Sequence, residues 1–111
     1  MTSPGAAPYP RLVGDVGGSG CRLGRVDSAD HVVTDIADVD GAASLEAAID
    51  RYLASRAPTR LAAAALAVAG PVVGDAVTMT NREWAFSRRD LEKRLGVERL
   101  LVLNDFEALA H

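Results

Sequence analysis

The sequence predicts an α/β domain, and three observations carry that expectation. The unbroken apolar run Leu100 to Leu103 ends at once in the polar pair Asn104-Asp105. The glycine cluster Gly14-Asp-Val-Gly-Gly-Ser-Gly20 sits between two short apolar segments. Two amphipathic helical patterns, opened by Ser44 and Ser87, are interleaved with further short apolar runs. A short run that is apolar at every position is the mark of a strand covered on both faces of a sheet. Residues directly after such a strand stand where open α/β sheets place their ligands.

With 111 residues the chain holds one domain, and 49% hydrophobic residues suffice for a core. Twelve Lys and Arg against 15 Asp and Glu give a net charge of -3, which provides no electrostatic footprint for nucleic acid. The basic residues Arg88, Arg89, Lys93 and Arg94 fall on one predicted helix and read as a solvated face. A single cysteine, Cys21, excludes an internal disulfide and fits a reducing compartment. No apolar run approaches membrane-spanning length, and the N-terminus lacks a signal-peptide layout. A cytoplasmic protein without membrane or nucleic-acid partners is therefore expected.

Residues 1–10, with three prolines, read as a disordered leader, so the domain is expected over 11–111. Leu12-Val13 opens a first strand. The glycine cluster lacks the third glycine of a dinucleotide loop, because Leu23 stands in that place. It also lacks the Gly-Lys-Ser/Thr of a P-loop, since Lys93 is the only lysine. Cys21 to Val26 alternates as a second strand, so the cluster joins two strands as a hairpin. Such a loop is either a plain turn or a cradle in which successive amides hold a phosphate. A third strand is expected between His31 and Val39, with Val32, Val33 and Ile36 as its apolar signal. Neither His31 nor His111 has a metal-ligand partner at useful spacing.

Ser44 caps a helix in which Leu45, Ala48, Ile49, Tyr52 and Leu53 share one face, and Pro58 closes the segment. Alanine favours helix, yet Leu61 to Gly70 is short and bounded by Pro58 and Gly70-Pro71, so a buried strand is expected. Gly74-Asp75 makes a hairpin between Val72-Val73 and Ala76-Val77. Thr80 to Ser87 reads as a loop. In it, Asn81 and Trp84 are candidates to touch a polar ring or, for Trp84, to anchor packing. Ser87 and Asp90 form a capping box, Phe86 staples onto Leu91, and Gly96 stops the helix. The chain then enters the strand ending at Asn104. Asp105, at the turn into a following helix begun by Phe106 and Leu109, is either that helix's cap or a general base.

Four blocks stand in one order: Leu-Val-Gly-Asp-Val-Gly-Gly-Ser19, Ala69-Gly-Pro-Val-Val-Gly-Asp75, Met-Thr-Asn-Arg-Glu-Trp-Ala-Phe-Ser87 and Leu-Asn-Asp-Phe-Glu-Ala-Leu-Ala110. Together they resemble the N-terminal domain of bacterial glucokinases of the hexokinase/actin-like ATPase superfamily, over nearly everything from Arg11 to His111. The resemblance implies a ribonuclease-H-like sheet, three antiparallel strands followed by parallel strands and flanking helices. It implies ATP-dependent phosphorylation of glucose to glucose 6-phosphate, a step of glycolysis, with ATP and Mg²⁺. Asp105 matches the family's catalytic base and Asn104 a sugar-binding amide. Gly14, Asp15, Val16, Gly17, Gly18 and Ser19 match the first phosphate loop, with Asp15 acting near the magnesium.

Two departures bear on nucleotide and sugar contacts: Gly20 stands where the family usually has Asn, and Arg82 where a His is common. The resemblance also implies a second domain beyond Ala110, with the remaining sugar ligands, a second phosphate motif and the adenosine pocket, and it admits a homodimer of the complete protein. Without that domain the isolated chain is expected to be inactive. The alternative on the same scaffold is a non-catalytic sugar-binding or regulatory domain, or an inactive fragment.

Overall fold

The computed structural model describes residues 9–17, 20–30, 32–39, 41–56, 60–79 and 84–104. In chain order the elements are β1 (Arg11–Val16), β2 (Cys21–Val26), β3 (Val33–Asp38), α1 (Leu45–Ala54), β4 (Ala63–Val68), β5 (Val72–Val73), β6 (Ala76–Thr78), β7 (Ala85–Ser87), α2 (Arg88–Leu95) and β8 (Arg99–Asn104). Five strands form the main sheet in the order β3-β2-β1-β4-β8, and β5, β6 and β7 form a small antiparallel one. Within the main sheet β1, β2 and β3 are antiparallel, while β1, β4 and β8 run parallel. The domain is thus α/β with a mixed sheet.

Local chemistry accounts for the helices. The Ser44 hydroxyl accepts the Ala47 N–H at 3.0 Å, satisfying one of the orphan donors of the first turn of α1. Leu45, Ala48, Ile49 and Tyr52 then face inward at helical spacing. Gly96 ends α2 in the left-handed region, at φ 68°, and its N–H bonds the carbonyls of Glu92 and Lys93. The alanine-rich segment is a strand, as expected: Ala64, Leu66 and Val68 are buried on one face between β1 and β8. Packing from two neighbouring strands outweighs alanine's intrinsic preference for helix.

One face of the sheet is covered. Leu12, Val16, Leu23, Leu66, Val68 and Val102 share a core with Leu45, Ile49 and Tyr52 of α1, Leu91 of α2, and Val77 and Phe86 of the small sheet. Arg94 of α2 pairs with Asp50 of α1, joining the two helices above it. The other face is open: Val13, Ala65 and Leu101 stand in one cross-strand row, Asp15, Ala67 and Leu103 in the next. Leu101 is 52% and Leu103 39% exposed. This corrects the expectation drawn from the apolar run in β8. Among the described residues β8 lies at the sheet edge with a single face covered, because α1, α2 and the small sheet all pack on one side.

The third strand forms within the expected stretch, but its apolar residues do not make a buried face. Val33 and Ile36 lie in β3, the opposite edge, and both are exposed, as is Val32 just before it. Their strand is instead held by a polar anchor. The pairing of β2 with β3 shifts register between Leu23 and Arg25, and Asp35 takes φ 53° within β3. Aspartate is one of the few residues besides glycine that tolerate this region. The Tyr52 hydroxyl donates to the Asp35 carbonyl at 2.8 Å, and Arg56 binds the Asp35 carboxylate while lying 3.7 Å above the Tyr52 ring.

The stretch from Thr80 to Ser87 is not all loop. Ala85–Ser87 forms β7, paired with β6 through Val77 and Phe86. Trp84 and Phe86 point inward while Ala85 is exposed, an alternation that the cap residue Ser87 cuts short. Asn81 lies outside the described residues, and so do Arg82, His31 and Pro58. Among the described residues no helix is long and apolar enough to cross a membrane.

Candidate functional site

The pairing register brings distant parts of the chain to one edge. Val16, Val68 and Asn104 are cross-strand neighbours at the carboxyl ends of β1, β4 and β8. Beyond Val16 lies the glycine turn, beyond Val68 the pair Ala69-Gly70, and beyond Asn104 the residue Asp105. At two interstrand spacings, Val16 and Asn104 stand roughly 10 Å apart, a span that fits a ligand reached from both sides. Parallel strands make this possible, since all three end on the same side.

The turn between β1 and β2 closes on itself: the Gly17 N–H donates to the Gly20 carbonyl at 2.8 Å. That amide is spent, so a phosphate cradle here would draw on Gly18 and Ser19, both outside the described residues. Gly14 and Val16 lie within β1. A Cβ on Gly14 would come within 2.7 Å of a Leu66 methyl and 2.8 Å of a Leu23 methyl, so a larger residue there would make both leucine side chains shift. Val16 is fully buried, and its carbonyl accepts the Ala69 N–H at 2.9 Å. Both residues lie in the strand that leads into the turn, Gly14 half-buried and Val16 fully buried.

Asp15 projects on the open face, where Arg22 of β2 stands opposite with 3.9 Å between Nη2 and Oδ2. These two residues help line a hollow of about 310 Å³ with Val13, Gly24, Val33 and Ile36. Among the described residues no three His, Cys, Asp or Glu side chains converge on a metal position. A single exposed carboxylate nevertheless suits Mg²⁺, which commonly takes one or two carboxylates and completes its shell with water and substrate phosphates. Asp15 fits that chemistry.

Asn104 is half-buried, and its side-chain Nδ2 donates to the Gly70 carbonyl. The sequence marked Gly70-Pro71 as a boundary and as part of one of the four resembling blocks, and no local signal connects it to a residue 34 positions away. Gly70 is packed directly on the small sheet: a Cβ there would stand 2.0 Å from the Thr78 carbonyl oxygen. The expected catalytic residue Asp105 lies outside the described residues, at the position following Asn104. Cys21 is buried, is in no disulfide, and packs in the core.

The α/β domain with its mixed sheet is shared with solved structures. The solved glucokinase from an Antarctic psychrotroph is 31% identical and superposes with a TM-score of 0.78, covering 87% of this chain and 32% of that one. A ROK family protein from Streptococcus pneumoniae, solved in complex with sucrose, shares the fold at a TM-score of 0.64 and 17% identity, over 87% of this chain and 35% of that one. The Glucokinase family model matches residues 12–111, and the chain belongs to the glucokinase family. The glucokinase of Ralstonia nicotianae is 47% identical over 109 residues, covering 93% of this chain and 32% of the relative. The chain thus spans about a third of the length of the curated relatives it matches.

Proposed function

We propose that this chain is the N-terminal part of an enzyme that transfers the γ-phosphoryl group of ATP to glucose, giving glucose 6-phosphate for glycolysis. The observation that supports this reading best is the row Val16, Val68 and Asn104, which brings the end of β1, where the glycine turn begins, and Asn104 to one sheet edge. The wider fold assignment, a ribonuclease-H-like domain of the actin-like ATPases, belongs to the same proposal and is supported by the three antiparallel strands followed by parallel ones.

In this reading Asp105 takes the proton of the attacking sugar hydroxyl as that oxygen bonds to the γ-phosphorus. The bond from phosphorus to the bridging oxygen breaks, and ADP leaves with the electron pair. Asn104 holds the sugar. Gly18 and Ser19 would supply amides to the phosphates, in a turn placed by Gly14, Val16 and Gly17, and Asp15 would act near the Mg²⁺, which would supply positive charge to offset that of the phosphates. Such a reaction needs an oriented nucleophile, a proton acceptor and donors aimed at the phosphoryl oxygens. The remaining sugar contacts and the adenosine pocket come from the part of the relatives that this chain does not span.

The test uses this chain joined to the downstream two-thirds of the Ralstonia nicotianae glucokinase. Asp105→Asn keeps size and a carbonyl acceptor but cannot usefully accept the proton, so kcat should fall by about 10²–10⁴ with little change in sugar KM. Asn caps a helix about as well as Asp. A folded variant with near-normal kcat would reduce Asp105 to a helix cap. The 111-residue chain alone should give no sugar phosphate in a coupled assay.

A further inference from the structure

We infer that Asp35 guards an edge of the main sheet: held in a left-handed conformation by Tyr52 and Arg56, it breaks β3 so that a second copy of this chain cannot add a strand there. This device is independent of the proposed reaction and keeps the domain from associating with itself.

An edge strand offers unpaired backbone groups to any strand that meets it, and the hazard grows when the strand is apolar. Among the described residues β3 is such an edge. Five of its six residues are exposed, Val33 at 43% and Ile36 at 62% among them, and Val32 just before it is 55% exposed. Its pairing with β2 shows what interrupts it. Thr34 stands opposite Arg25 and Ala37 opposite Leu23, so Asp35 and Ile36 together face Gly24 alone. That is a β-bulge, in which one extra residue breaks the ladder and twists the strand. The residue that takes up the irregularity is Asp35, at φ 53°, the one non-glycine position with a positive φ among the described residues. Side chains record the same shift. Residues three apart point to opposite faces of a regular strand. Here Val33 and Ile36 both lean over Gly24, where a Cβ would come within 2.7 Å of the Val33 Cγ1 and 3.4 Å of the Ile36 Cγ1. Without Asp35, Ile36 would stand opposite Gly24, and the register from Val33 to Asp38 would run unbroken. A continuous apolar edge is therefore one residue away.

The bulge is held from α1. The Tyr52 hydroxyl donates to the Asp35 carbonyl at 2.8 Å. Arg56 binds both carboxylate oxygens, its Nη2 on Oδ1 at 2.9 Å and its Nε on Oδ2, a two-point contact that fixes orientation as well as distance. The guanidinium is itself fixed, by its Nη1 on the Tyr52 carbonyl at 2.7 Å and by the Tyr52 ring 3.7 Å away. Tyr52 is 1% exposed, so the clamp is rooted in the core. A left-handed aspartate is unfavourable by itself and persists only where its surroundings hold it. Three polar contacts converge on an exposed residue that fills no core space, and a broken edge gives them a purpose.

The test takes as parent the 111-residue chain carrying Leu101→Glu and Leu103→Glu. These charges close the open face and the opposite edge to association and leave β3 as it is. In sedimentation velocity the parent should be a monomer. Deleting Asp35 should at least double the weight-average mass at the same concentration, and Ile36→Glu added to the deletion should return it to the monomer. Asp35→Gly loses the Arg56 pair but keeps the bulge, since glycine tolerates positive φ, and should stay monomeric. Asp35→Val resists that φ and should associate. It supplies the same test at a single side chain if near-ultraviolet circular dichroism shows that the deletion does not fold. A folded deletion and a folded Asp35→Val that both remain monomeric would overturn the inference. So would association that Ile36→Glu does not reverse, because the contact would then lie away from β3. A parent that already associates until Ile36→Glu disperses it would show an unguarded edge and overturn the inference equally.

Discussion

The carboxylate of Asp75, in the turn between β5 and β6, caps α2 from across the small sheet. Its Oδ1 accepts the Arg89 backbone N–H at 2.8 Å and its Oδ2 takes the Ser87 hydroxyl, while the Asp75 carbonyl accepts the Arg88 N–H at 2.8 Å. Ser87 in turn accepts the Asp90 N–H at 3.2 Å. Two side chains from separate elements thus satisfy the open donors of one helix end, where a carboxylate also complements the helix dipole.

Ser87→Ala should therefore cost about 0.5–2 kcal/mol of stability, the usual effect of losing a cap. Asp75→Ala should also destabilise, and the double variant should cost less than the sum, because both act on one network. Additive effects in urea melts would show that the two caps act separately.

The same carboxylate carries a pH dependence. The Ser87 hydroxyl first, and then the Arg89 N–H, hold Asp75 below the usual carboxylate range. A group whose folded pKa is depressed stabilises above its unfolded value and loses that contribution as pH falls through the folded one. The gap in Tm between wild type and Asp75→Ala should be full near neutral pH and close as the solution is acidified below the ordinary carboxylate range. A gap that stays constant into acid would remove the charge from this account.

Gly14 and Gly20 flank one turn and should respond oppositely to alanine. A Cβ at Gly14 meets Leu66 and Leu23 inside van der Waals distance, so Gly14→Ala should cost about 1–3 kcal/mol as an overpacked site. At Gly20 an added Cβ would meet no atom of the described residues within 4 Å and its φ is not in the left-handed region, so Gly20→Ala should be neutral or stabilise by up to about 1 kcal/mol. Equal losses at both sites in denaturant melts would contradict this.

Gly18→Val, in the hybrid enzyme, should raise the KM for ATP and leave sugar binding without nucleotide almost unaltered. A branched side chain would keep the backbone from a phosphate and resist positive φ if the turn requires it. A loss of sugar affinity with normal ATP use would place the phosphates elsewhere.

Tyr52→Phe should cost about 0.5–1.5 kcal/mol, because it removes the hydroxyl that donates to the Asp35 carbonyl. Asp35→Val should be worse than Asp35→Asn: both remove the charge facing Arg56, but a branched residue also resists φ 53°. Equal stabilities for the two Asp35 variants would mean the bulge relaxes without strain.

Much of this domain was legible along the chain, wherever the deciding forces act between near neighbours. Ser44 and Ser87 marked both helix starts and Gly96 one end, since capping involves atoms within a turn of each other. The glycine turn, the strand after Pro58 and the strand ending at Asn104 were readable from period and punctuation. Which face of a strand is covered was not. Leu100 to Leu103 are apolar throughout, yet only Leu100 and Val102 reach the core while Leu101 and Leu103 face outward, because coverage depends on which side distant helices pack. The Asp35–Arg56 pair, the Asp75 cap and the Gly70–Asn104 bond were equally hidden, joining residues 21, 14 and 34 positions apart. The candidate site divides the same way: the resemblance of four ordered blocks singled out its residues, but parallel pairing through β4 set Val16 and Asn104 on one edge, and only a folded sheet supplies that register.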